Sequence, residues 1–131
     1  MITLWFERRH NVLMARATGV LSSEDIETHD RAVLRFLAGR SGVRAIYDLS
    51  GVDALAVPTS KIAQRGQRPA MISERRVVVA SRQAGAEFAR IIRDQQSAAG
   101  LPEPLIVSSL DEAFALLDLD RTAKFEPIDI G

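Results

Sequence analysis

Val43-Arg-Ala-Ile-Tyr-Asp-Leu-Ser-Gly-Val-Asp-Ala-Leu-Ala-Val-Pro-Thr-Ser60 is the stretch whose reading decides the fold. Val43 to Leu49 reads as an apolar strand with Asp48 near its end, and Ser50-Gly51 turns the chain. Pro58 with Thr59 or Ser60 starts a short helix through Ile62, which Gly66 and Pro69 interrupt. From the turn to Glu74 the pattern is the least regular of the chain, which makes this the expected mobile segment.

Working upstream, residues 2 to 7 alternate apolar and polar, Glu-Arg-Arg-His-Asn follows, and residues 12 to 18 are again strand-like, so an antiparallel hairpin opens the chain. Ser22-Ser-Glu-Asp25 carries hydroxyls for an N-cap and acids suited to a helix's positive end. Ile26, His29, Val33, Phe36 and Leu37 then fall on one stripe at helical spacing, and Gly39 provides a left-handed stop. Downstream, the unalternating valines of Arg75 to Ser81 indicate a strand covered on both faces. Ala84 to Ala99 is a helix with Phe88, Ile91, Ile92 and Gln95 on one side. Leu105 to Val107 is a short strand, and Ser109-Leu-Asp-Glu112 has the form of a capping box before a last helix lined by Leu110, Ala113, Phe114 and Leu117.

A hairpin followed by repeated helix and strand predicts an α/β domain with a mixed, mostly parallel five-stranded sheet and about four helices. It spans residues 1–120. The remaining tail, 121–131, alternates Phe125, Ile128 and Ile130 about Pro127, which suits an edge strand, a docked arm or a contact between subunits in a homodimer.

The chain of 131 residues fits one domain with a real core. It lacks cysteine, which removes thiolate chemistry, disulfides and cysteine-ligated zinc. The amino terminus has no basic start followed by a long apolar run, and no segment is long enough to span a bilayer, so a cytoplasmic protein without stable membrane insertion is expected. Net charge is zero, yet residues 61 to 93 are rich in arginine and the segment after residue 100 in acids, as when packing brings two segments into one mixed surface. Nucleic acid is not expected, because no aromatics interleave with the basic residues.

In parallel sheets ligands gather beyond the carboxyl ends of strands, here Asp48 to Asp53, Ser81 to Ala84 and Ser108 to Leu110. Asp48 sits where receiver domains carry a phospho-accepting aspartate, but no acidic cluster or later lysine accompanies it, and a carboxylate capping its own turn towards Ser50 is the simpler reading. Ser50 lacks the glycine of a nucleophile elbow, and His10 and His29 form no metal-ligand pair. No P-loop or dinucleotide fingerprint occurs, so no cofactor is expected. Ser81-Arg82-Gln83 places a hydroxyl, a guanidinium and backbone N–H groups at a helix start, which suits an anion. Tyr47 and Trp5 read as packing residues.

The order of elements, Ala45-Ile-Tyr-Asp-Leu-Ser-Gly-Val-Asp-Ala-Leu-Ala-Val-Pro-Thr-Ser60, Thr18-Gly-Val-Leu-Ser-Ser-Glu-Asp25 and Ser108-Ser-Leu-Asp-Glu-Ala-Phe114 resemble the STAS domain superfamily, over roughly residues 2 to 119. This is the fold of anti-sigma-factor antagonists of the SpoIIAA type. In that family an Asp-Ser-Ser-Gly motif at a helix start carries a serine phosphorylated by a partner kinase. The corresponding positions here, Ala56 to Thr59, lack it, and Thr59 or Ser60 substitutes only after a slip of one or two positions. The resemblance therefore extends to divergent STAS/SEC14-like relatives without the phosphorylation motif.

The resemblance implies a non-catalytic module that regulates through contact with a protein partner such as a regulator or kinase. The alternative is a carrier or sensor of a small anionic or amphiphilic ligand. Asp48, Ser50, Thr59, Ser60 and Arg82 are the candidate binding residues. SEC14-like members of the wider group bind lipids in an apolar cavity, whereas here every helix stripe is needed to cover the sheet, leaving no room for a large lipid pocket.

Overall fold

In the computed structural model, residues 1–130 are described. Two strands, β1 (Ile2–Glu7) and β2 (Val12–Leu21), form the antiparallel opening hairpin. Its turn is closed by the buried Glu7 carboxylate, which accepts the backbone N–H of His10 at 2.6 Å, while Asn11 takes the left-handed conformation, φ 59°. Helix α1 (Ser23–Leu37) begins with a full capping box in which Ser22 accepts from the Asp25 N–H and Asp25 accepts from that of Ser22. Gly39, at φ 76°, follows its end, as the sequence requires.

The remaining elements are β3 (Arg44–Leu55), α2 (Thr59–Gly66), β4 (Arg76–Val79), α3 (Gln83–Ala98), β5 (Leu105–Val107), α4 (Leu110–Leu116) and β6 (Glu126–Ile128). The sheet runs β5-β4-β3-β2-β1-β6, with β2 to β5 parallel and β1 antiparallel to both of its neighbours. It has six strands rather than five, because the tail pairs with β1 as an edge strand.

A second difference lies in the deciding stretch itself. The turn expected at Ser50-Gly51 is absent, and β3 continues to Leu55 alongside β2. Register shifts between Arg16 and Thr18 and between Gly19 and Val20 absorb extra β3 residues as bulges. Asp48 fixes the first of these by accepting from the backbone N–H and the hydroxyl of Ser50, at 3.1 and 2.6 Å. Gly51 is required there, since a Cβ would lie 2.9 Å from Thr18 Cγ2 and 3.1 Å from the Ala17 carbonyl. The chain turns only at Ala56 to Pro58, where α2 begins without a side-chain cap.

Strand alternation divides the core between two faces. On one face Val12, Met14, Ile46, Val77 and Val79 pack against Ala113 of α4, with Leu117 and Leu119 just after that helix and Phe125 from the tail. The capping box expected before α4 is only half formed: Ser109 accepts the Glu112 N–H, but the glutamate turns to the Ser108 hydroxyl at 2.9 Å. On the other face Leu4, Leu13, Ala15, Ala17, Ala45 and Leu49 meet α1 and α3. Helix α2 lies mainly on α3.

Candidate functional site

The helix stripes do cover the second face, but not flush. Helix α1 contributes Ile26, His29 and Leu34, and α3 contributes Phe88, Ala89 and Ile92, while the strand residues between them are the small Ala15 and Ala17 beside Tyr47 and Val78. The shortfall of side-chain volume leaves a cavity of about 350 Å³ over the sheet. Its outer side is bridged by the end of α2 and the segment after it, through Arg65, Arg68, Pro69, Ala70 and Met71. This is the irregular segment of the sequence, now with a position: it roofs the cavity.

The polar groups of the cavity are few. Asp30 of α1 accepts two bonds from the Arg65 guanidinium, at 2.6 and 2.8 Å, which ties α2 to α1. His29, 4% exposed, bonds through Nδ1 to Asp30 at 2.9 Å, and its Nε2 is buried without a partner among the described residues. Burial raises the Tyr47 phenol above its ordinary pKa, partly offset by the charges of Arg65 and Arg76. Arg76, 8% exposed, lies at the start of β4 and donates to Gln96 Oε1 at 3.3 Å and to the Pro102 carbonyl at 2.6 Å. Burial lowers its pKa, with only the Tyr47 charge acting the other way.

The residues singled out from sequence fall elsewhere. Asp48, 3% exposed, is engaged by Ser50 and by Arg16 Nε at 3.1 Å, on the α4 side of the sheet. Thr59 and Ser60 are exposed in the first turn of α2. Arg82 is the residue before α3 and pairs with Asp53 of β3. The structure thus joins Asp48 to Ser50 and leaves Thr59, Ser60 and Arg82 at separate places.

Sequence reasoning passed over Arg65 and Arg76, and took Tyr47 for packing. One signal was available. Arg76 opens a run of buried valines, and strand parity puts it on the face of Val78, where an arginine needs a reason. Among the described residues, no group of three or more histidine, aspartate or glutamate side chains could hold a metal ion, and no helix is long and apolar enough to cross a membrane.

No family model and no curated protein matches the chain. Among solved structures, it is similar to an uncharacterised protein of the DUF3478 family with a SpoIIAA-like fold from Shewanella loihica. The identity is 18%, the alignment covers 89% of this chain and 92% of that one, and the TM-score is 0.57. Together with the strand order and helix placement, this gives the chain a SpoIIAA-like fold.

Proposed function

We propose that the chain is a non-catalytic STAS-like module that holds a small amphiphilic molecule in the cavity between α1 and α3, as a carrier or sensor. The observation that carries this reading is the cavity itself: about 350 Å³, mostly apolar, with polar groups at a few points of its lining. Cavities of this kind in protein interiors are few, because close packing normally fills them. A ligand that binds only the folded state raises the melting temperature by mass action.

The test is a thermal-shift screen of the whole chain against medium-chain amphiphiles, anionic, neutral and cationic. A binder at a hundredfold excess over its Kd is expected to raise Tm on the order of 5–10 °C. Ala17→Phe, which places a ring in the cavity, is expected to remove that shift while the variant still melts cooperatively. A screen in which no compound shifts the wild type would overturn the reading.

A second reading is favoured by α2, which roofs the cavity at one end and exposes Thr59 and Ser60 at the other. That surface suits contact with a protein partner, so that occupancy of the cavity and regulation by contact would meet on one helix. A partner that binds the wild type and the Thr59→Asp, Ser60→Asp variant equally would speak against it.

A further inference from the structure

Arg76 is a buried cation with no anionic partner among the described residues. Both of its hydrogen bonds go to neutral acceptors, Gln96 Oε1 and the Pro102 carbonyl, and no carboxylate among the described residues forms an ion pair with it. A guanidinium has five N–H donors, so these two bonds leave others over. Burying a charge without a counter-charge is costly, and proteins ordinarily pair it. The deficit extends to the rest of the lining: Arg65, Arg68 and Arg76 face one carboxylate, Asp30, and that carboxylate is taken by Arg65.

Arg76 also has a neighbour suited to an acid. Tyr47 lies one strand over on the same face, since Tyr47 pairs with Val78 and Ala45 with Arg76, and its hydroxyl has no hydrogen bond to another described residue. Tyr47 lines the cavity, so its phenol O–H is free to bond a molecule held there. A planar guanidinium fork matches a carboxylate, which can accept from it twice and take a phenol proton besides. The body of such a ligand would lie against Ala17, Leu49 and Phe88, which are apolar.

We propose that the cavity receives an amphiphilic carboxylic acid, its carboxylate on Arg76 and Tyr47 and its apolar body along the sheet. The assignment rests on the cavity reading above and specifies its ligand class. At about 30 Å³ per heavy atom, as for water in the liquid, the space holds roughly a dozen non-hydrogen atoms, the size of decanoate.

The test is titration calorimetry of the whole chain with three probes of equal tail: decanoate, decanol and decyl phosphate. Decanoate is expected to bind at least tenfold more tightly than decanol, and more tightly than decyl phosphate. Arg76→Met, which keeps length and removes charge, is expected to abolish the preference for the acid while decanol binding persists. Equal binding of decanol and decanoate to the wild type would overturn the carboxylate assignment and leave the cavity reading standing. Preference for decyl phosphate would overturn it in favour of a phosphate head group. No binding of any probe would remove both. Because the comparison among probes is made on the wild type, the outcome stands even if Arg76→Met fails to fold.

Discussion

Asp30 on α1 and Arg65 on α2 are joined by two parallel hydrogen bonds, 2.6 and 2.8 Å long, across the roof of the cavity. Since α2 otherwise packs on α3, this pair is its polar tie to α1. Burial works to raise the Asp30 pKa, but the hydrogen bonds from His29 and Arg65 and their charges outweigh it and hold the carboxyl well below the ordinary range. A carboxyl with a depressed folded-state pKa contributes fully above its unfolded value, about 3.9, and loses that contribution as pH falls through the folded value. Asp30→Asn is therefore expected to cost about 1–3 kcal/mol at pH 7. The gap from wild type should narrow at pH 3, and urea denaturation at the two pH values checks it. A gap of equal size at both would refute the ion pair's contribution.

Asp48, read from sequence as a carboxylate bonded towards Ser50, makes that contact and one more. Its buried carboxylate holds the half-exposed Arg16 Nε and the part-buried Ser50 N–H and hydroxyl, so removing it takes the acceptor from all three donors. Asp48→Ala is expected to cost about 2–4 kcal/mol, and Ser50→Ala about 1 kcal/mol. Because Asp48 lies on the α4 side of the sheet, Asp48→Ala should still show the ligand-induced thermal shift of the wild type. Loss of that shift in a variant that remains folded would place Asp48 in the site after all.

Local signals survived into the structure wherever one residue decides a local conformation. Ser22 with Asp25, Gly39 after α1, and the valines of β4 all act as their types and spacing predict. Ser50-Gly51 did not, because a serine–glycine pair serves a bulge as readily as a turn. The difference is made by β2, ten residues long and so able to pair with β3 as far as Leu55. The cavity was illegible for a related reason. Periodicity says that Ile26, Phe88 and Ile92 face inward, but not how far apart two helices must stand when the sheet between them presents Ala15 and Ala17. Arg65 and Arg76 gain their meaning only from that gap.

Two glycines hold α3 close to its neighbours, and their substitution sets helix propensity against packing. A Cβ on Gly85 would lie 2.8 Å from the Leu49 carbonyl oxygen, and one on Gly66 would lie 2.7 Å from Gln95 Cβ and 3.1 Å from the Ile92 carbonyl. Alanine gains about 1 kcal/mol over glycine inside a helix. Overpacking costs about 1–3 kcal/mol, and backbone atoms cannot swing aside. Both Gly85→Ala and Gly66→Ala are expected to lower stability by about 1–2 kcal/mol in thermal or urea unfolding, and a stabilised variant at either position would contradict the close approach of α3.

Arg82, which sequence places at an anion-binding helix start, is paired with Asp53, and both side chains are about 60% exposed (60% and 61%). Exposed pairs are worth roughly 0–1 kcal/mol. Arg82→Ala should therefore change stability by less than about 0.5 kcal/mol in urea denaturation. It should leave decanoate binding unchanged, since Arg82 does not line the cavity. Weakened decanoate binding in Arg82→Ala would mean that the ligand extends beyond the strand ends.

Thr59 and Ser60 stand in the first turn of α2, where Pro58 supplies no side-chain cap and no acidic residue meets the helix's positive end. A carboxylate placed there gains about 0.3–1 kcal/mol from the helix dipole and replaces only exposed hydroxyls. The double variant Thr59→Asp, Ser60→Asp is accordingly expected to be as stable as the wild type or up to about 1 kcal/mol more so. That makes it a clean probe of contact: a partner it fails to bind has been lost through charge at the surface and not through unfolding. Urea denaturation checks the stability. A destabilised double variant would mean that the turn packs against something the exposed hydroxyls do not reveal, and α2 could then no longer serve as the contact face.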